Sequence, residues 1–222
     1  MRRLRLVLMP KIKFTTYCAH RSGSNFLQRL IVDNFENCDY IERDHNKMGW
    51  KHQTYHEKYM KGKEFCLLIA RHPVKWVNSC IRFNADMWKW WNVNQNESHG
   101  LSFMYRGRPV SIIKMVDKWN NFYGEWMEHS SCDIVWFADL LEDESRDRIL
   151  YKIADKNNLR PKHENIVVPE KVQHSDEYNK DKRIQELNLY INDKLDILPH
   201  IREYVVDNID YSLLNQIEQN KL

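Results

Sequence analysis

Apolar positions along the chain alternate between two rhythms. In "KIKFTTYCA" (11–19) they alternate with polar ones and include β-branched and aromatic residues, which predicts a strand. Phe26, Leu27, Leu30, Ile31 and Phe35 then recur at helical spacing and form one stripe. The opening is therefore strand, turn, helix. "CDYIER" reads as a short second strand, and "KEFCLLIA" (63–70) is a continuous apolar run of the kind buried in parallel sheets. Pro73 suits the first turn of a helix whose apolar face includes Val74, Val77, Ile81 and Met87. Residues 92–109, "NVNQNESHGLSFMYRGRP", have no period and read as a long loop or lid. "VSIIKMVDKWNNFYGEWMEH" reads as a helix and "CDIVWFADL" as another buried strand. "ESRDRILYKIADKNNL" reads as an amphipathic helix with acidic residues near its start. Strands alternating with helices predict an α/β fold with a central parallel sheet covered on both faces. After Pro169 the chain is charged, and 170–222 is expected to be helical. With no repeat and no boundary signal, residues 1–222 read as a single domain.

Composition narrows the functional classes. Apolar residues at 42% and charged residues at 29% fit a globular protein, and a net charge of +3 gives no basis for nucleic-acid binding. The apolar run in "MRRLRLVLMP" falls short of the roughly 7 to 15 residues of a signal core. No stretch reaches the roughly 18 apolar residues of a membrane span. Cys18, Cys38, Cys66, Cys80 and Cys132 form an odd set without CxxC spacing, so neither a zinc site nor a disulfide framework is expected. Reduced thiols in a cytoplasmic protein are the simplest reading.

Chemistry concentrates in "CAHRSGSNFLQRLI" (18–31). A strand passing through a glycine-containing turn into a helix presents backbone N–H groups at the positive end of the helix dipole, which attracts an anion. Gly23 permits close approach, Ser22 and Ser24 add hydroxyls, Asn25 offers a cap, and Arg21 adds a charge that grips two oxygens. An ordinary polar turn capped by serine explains the same residues. The GxxxxGK[ST] loop of nucleotide kinases is absent, and one glycine stands where a dinucleotide fingerprint needs three. A second basic strand end lies in "LLIARHPVKWVNSCIRF" (67–83), where Arg71 ends a strand and Ser79 follows two helical turns later. Strand carboxyl ends are where open parallel sheets bind ligands, so two such ends suit two phosphates of one nucleotide.

These segments resemble the sulfotransferase family that uses 3'-phosphoadenosine 5'-phosphosulfate (PAPS). "AHRSGSNFL" is similar to its 5'-phosphosulfate loop, of the form PKSGTTW or PRSGT, with Arg21 in the basic place. "RHPVKWVNS" is similar to its 3'-phosphate element, approximately RNPKDVAVS, keeping Arg71, Pro73 and Ser79. "IVWFADLLEDESRDRILYKIA" echoes a later element, FLxYEDL, so the resemblance spans roughly residues 12–157. It departs in His20 for proline and in Phe137-Ala138 for Tyr-Glu. An Arg-Lys-Gly near the C-terminus is also missing, with "YRGRP" (105–109) or "LRPKH" (159–163) as substitutes for its 3'-phosphate contact.

The resemblance implies a P-loop-like phosphate turn and transfer of a sulfuryl group to a hydroxyl acceptor. Adenosine 3',5'-bisphosphate (PAP) leaves, and no metal is required. Arg21, Ser22, Gly23, Ser24, Asn25 and Phe26 would form the 5' site, and Arg71 and Ser79 would clamp the 3'-phosphate. A base is needed for the acceptor proton, and His52 in "MGWKHQTY" suits it, with Lys51 beside the sulfuryl group. A regular strand would aim Lys51 and His52 to opposite faces, and Glu42, Asp44 and His45 are competing bases. The tryptophans of "MWKWWNV" (87–93) suit either core packing or stacking on an acceptor, and Arg106 and Arg108 suit either solvent or an anionic acceptor. Carbohydrate is the first acceptor expectation and a small alcohol or phenol the second. The rival readings are a small P-loop nucleotide kinase and a PAP-binding protein without turnover.

Overall fold

A computed structural model describes residues 11–19, 22–41, 52, 55–57, 65–88, 102–105, 108–169 and 199–222. The first strand, β1 (Ile12–Cys18), leads into helix α1 (Ser24–Asn34) and a short β2 (Cys38–Tyr40). Next come β3 (Phe65–Ala70), α2 (Pro73–Trp88), β4 (Ser102–Tyr105), β5 (Arg108–Ser111) and α3 (Ile112–His129). The chain continues through β6 (Asp133–Trp136), a 3-10 turn (Ala138–Leu141), α4 (Asp143–Lys156), α5 (Pro199–Asn208) and α6 (Tyr211–Asn220). β2, β1, β3 and β6 form one parallel sheet in that order, as the alternation of strands and helices predicts.

Because side chains alternate across a strand, each strand supplies both faces of the sheet. Phe14, Cys18, Leu67, Ile69 and Val135 meet Leu27, Leu30 and Ile31 of α1 and Ile149, Leu150 and Ile153 of α4. Tyr17, Leu68, Ala70, Ile134 and Trp136 meet the other layer, built from Val77 of α2, Trp119, Tyr123 and Trp126 of α3, Val205 of α5 and Ile217 of α6. The layers are helix, sheet, helix. At the free edge of β6, Leu222 N–H donates to the Ile134 carbonyl, so the last residues cover that edge.

Three expectations are corrected here. Cys66 and Cys132 form a disulfide, which removes the support that five reduced thiols gave to a cytoplasmic placement. The pairing follows from the sheet: Leu67 lies opposite Asp133, which puts the preceding residues side by side on neighbouring parallel strands, 5.0 Å apart at Cα. Cys18, Cys38 and Cys80 are buried and take no part in a disulfide. Within the expected lid, residues 102–105 pair antiparallel with 108–111, so the helix begins at Ile112. These strands are short and set among polar residues, which hid their period. Residues 92–101, 106 and 107 of that loop lie outside the described residues. "FADL" turns away from the sheet as a 3-10 turn after Trp136 instead of prolonging the strand. Helix covers Pro199–Asn208 and Tyr211–Asn220 of the charged C-terminal part, and 170–198 lies outside the described residues. No helix among the described residues is long and apolar enough to cross a membrane.

Candidate functional site

From β1 the chain moves outward to β2, then returns to the other side of β1 to lay down β3 and later β6. β1 and β3 are therefore the neighbours at which the winding direction reverses, and the crevice beyond their carboxyl ends is where such sheets bind ligands. The helices that follow these strands, α1 and α2, start at that edge with the positive ends of their dipoles.

Beyond β1, Gly23 caps α1 with φ 90° and ψ 16°, a left-handed conformation that glycine adopts without strain. Its carbonyl accepts from the N–H groups of Phe26 and Leu27, while Ser22 N–H donates to the Ala19 carbonyl. The cap expected from Asn25 is thus made by Gly23, and Asn25 sits in the first helical turn. Beyond β3, the His72 carbonyl accepts from Trp76 N–H, with Pro73 at the first helical position as its missing N–H allows. His72 Nδ1 accepts from Val74 N–H, and burial lowers the His72 pKa. Arg71, only 6% exposed, is the first residue beyond the strand, and its carbonyl accepts from the Trp119 indole N–H.

Two side chains join the strand ends. The Phe137 ring lies against Gly23, close enough that a Cβ there would stand 2.1 Å from two ring carbons, and the Arg71 guanidinium lies 4.9 Å from the centroid of the same ring. The ring therefore contacts both the turn and the arginine. The fully buried Tyr123 phenol donates to the Ile69 carbonyl at the end of β3 and accepts from Ala19 N–H beyond β1. Its oxygen also lies 3.3 Å from Ser22 Oγ. Burial raises the Tyr123 pKa and keeps the phenol protonated.

Ser24 and Ser79 are 5% and 3% exposed, and among the described residues neither hydroxyl has a hydrogen-bond partner. A buried hydroxyl without a protein partner requires an explanation, and a ligand or water at the strand ends supplies one. Ser79 lies on the second turn of α2 and Ser24 on the first of α1. Ser22 differs. Tyr123 spends its single proton on Ile69, so Ser22 must donate to the phenol, and its hydroxyl points into the protein.

His52 lies at the end of β1, where its Nδ1 is 2.8 Å from the Cys18 carbonyl. A carbonyl only accepts, so the proton is on Nδ1, and in the neutral ring the lone pair is on Nε2. Phe26 is buried in the core beneath the sheet. Arg21, Lys51, Glu42, Asp44, His45 and Arg106 lie outside the described residues. Arg108 belongs to β5. "LRPKH" packs at the opposite edge: Pro161 bridges to Phe35, and Lys162 donates to the Val32 carbonyl near the end of α1. That helix spans about 15 Å, so this segment is no substitute for a 3'-phosphate contact. A surface cavity of about 310 Å³ between α3 and α6 is lined by Glu128 and Asp210, carboxylates that disfavour an anion. No group of three or more potential metal ligands occurs among the described residues.

Tyr123 and Phe137 were not legible as site residues. Tyr123 falls on the apolar stripe of a helix and reads as core, and Phe137 reads only as a departure from a motif. No protein-family model, curated protein or solved structure matches this chain.

Proposed function

We propose that the protein is a PAPS-dependent sulfotransferase acting on a hydroxyl acceptor, with carbohydrate as the first acceptor class. The observation that carries this reading is the pair of buried hydroxyls, Ser24 and Ser79, that have no hydrogen-bond partner among the described residues, on the helices that start beside the two strand ends at which the winding direction reverses. The two ends are joined through Phe137 and Arg71. This arrangement suits one nucleotide with anionic groups at both ends. In the proposal Arg21, Ser24 and the N-terminus of α1 hold the 5'-phosphosulfate, and Arg71 with Ser79 holds the 3'-phosphate.

The acceptor oxygen attacks sulfur, the bond from sulfur to the phosphate oxygen breaks in line, and the phosphate leaves as PAP. The acceptor proton goes to His52 Nε2, the nitrogen left basic by the Nδ1 bond to Cys18. The protein supplies position and stabilises charge on the leaving oxygen, and the proposal needs no metal.

Titration with PAP, and with ATP plus magnesium, together with a screen of acceptors using labelled PAPS, tests the reading. Magnesium-independent PAP binding with sulfate transfer supports it. PAP binding without transfer to any acceptor leaves a binding protein, and preference for ATP with magnesium leaves a kinase. His52→Ala is expected to abolish transfer while PAP still binds, and unchanged turnover removes His52 as the base.

A further inference from the structure

We infer that Tyr123 is a positioning residue that holds the Gly23 turn and the end of β3 at the separation one nucleotide requires. The inference rests on the reading that a single ligand spans both strand ends. The phenol makes three bonds across the gap: it donates to the Ile69 carbonyl and accepts from Ala19 N–H and from the Ser22 hydroxyl. One oxygen thus satisfies a strand-end acceptor on β3 and two donors of the turn after β1. Both lone pairs and the proton are in use, so the oxygen has no capacity left for a ligand.

The ring is held as firmly as the oxygen. Its centroid lies 4.7 Å from that of Trp119 and 5.0 Å from that of Phe122, and Trp119 in turn donates to the Arg71 carbonyl. α3 therefore contacts both anion-binding ends through adjacent turns, Tyr123 holding the first and Trp119 the second. Ser22 becomes part of this brace and leaves Ser24 as the turn's ligand-facing hydroxyl.

A purely structural tyrosine and a positioning one differ in what their loss does to ligands of different reach. PAP engages both ends, whereas adenosine 5'-monophosphate engages the turn alone. Isothermal titration of the full chain with each compound gives the ratio of their affinities. Tyr123→Phe keeps the ring and deletes the oxygen. It is expected to lower that ratio about threefold to tenfold, with monophosphate affinity held within about twofold. An unchanged ratio in the folded variant overturns the inference. If Tyr123→Phe does not fold, Ser22→Ala keeps the bond to Ile69 and frees only the turn. A lowered ratio there supports the brace, and an unchanged one overturns it. Failure of the unsubstituted protein to bind PAP overturns the proposed function and this inference together, and it is seen before any substitution is made.

Discussion

Replacing Gly23 with alanine perturbs the strand ends at their tightest point. The residue sits at φ 90°, where a side chain costs about 1–2 kcal/mol. The added Cβ would also meet two carbons of the Phe137 ring at 2.1 Å, a separation that no packing tolerates, so the ring must swing away. Displacing it forfeits the Arg71 contact, about 0.5–2 kcal/mol. Together these amount to about 2–4 kcal/mol, or a melting temperature lowered by about 4–16 °C in a chain of this size. Differential scanning calorimetry of Gly23→Ala, Phe137→Ala and the double variant separates the contributions. With the ring removed, alanine at position 23 is expected to cost only the backbone part, a coupling that a double-mutant cycle measures. A Gly23→Ala protein that melts within about 1 °C of the parent, or single costs that simply add, would refute the argument that Gly23 is required by the ring above it.

Arg71→Ala is expected to weaken PAP binding about tenfold to a hundredfold in titration calorimetry, since hydrogen bonds to a charged group are worth about 1.5–3 kcal/mol. Loss of the Cys66–Cys132 disulfide closes off a link across 66 positions of chain, so Cys66→Ala/Cys132→Ala is expected to lose about 4 kcal/mol of stability in denaturant unfolding. An equal midpoint with and without reductant would show that the pair is not bonded. His72 has a folded pKa below its ordinary value, mainly through burial, so the unfolded chain binds its proton first as pH falls. The stability held above pH 6.5 is therefore lost progressively between 6.5 and the lower folded value. His72→Gln is expected to flatten that part of the stability–pH curve, and an unchanged slope would count against the assignment.

Much of the fold was written in local patterns. The apolar run ending at Ala70, the stripe from Phe26 to Ile31 and the proline at 73 each specify an element through a neighbour-to-neighbour rule of side-chain direction or backbone restriction. Their alternation then specifies parallel strands, because a short helix crossover brings the next strand back in the same direction. Gly23 and Arg71 were visible as residues suited to an anion for the same reason: each follows closely on the end of a strand, and Ser79 was visible through its spacing from Arg71.

What the tertiary structure alone decided is which distant groups meet. Strand order is one such decision, and it sets Cys66 beside Cys132 and overturns the reading of five reduced thiols. The bonds of Tyr123 to Ala19, Ser22 and Ile69 are another, spanning 104, 101 and 54 positions of chain. Phe137 against Gly23 and Arg71 is a third. No periodicity records these contacts, because a buried tyrosine or phenylalanine has the same local signature whether its neighbours are core or site. Local sequence directs each backbone segment, but the burial of both sheet faces determines what the ends of those segments share.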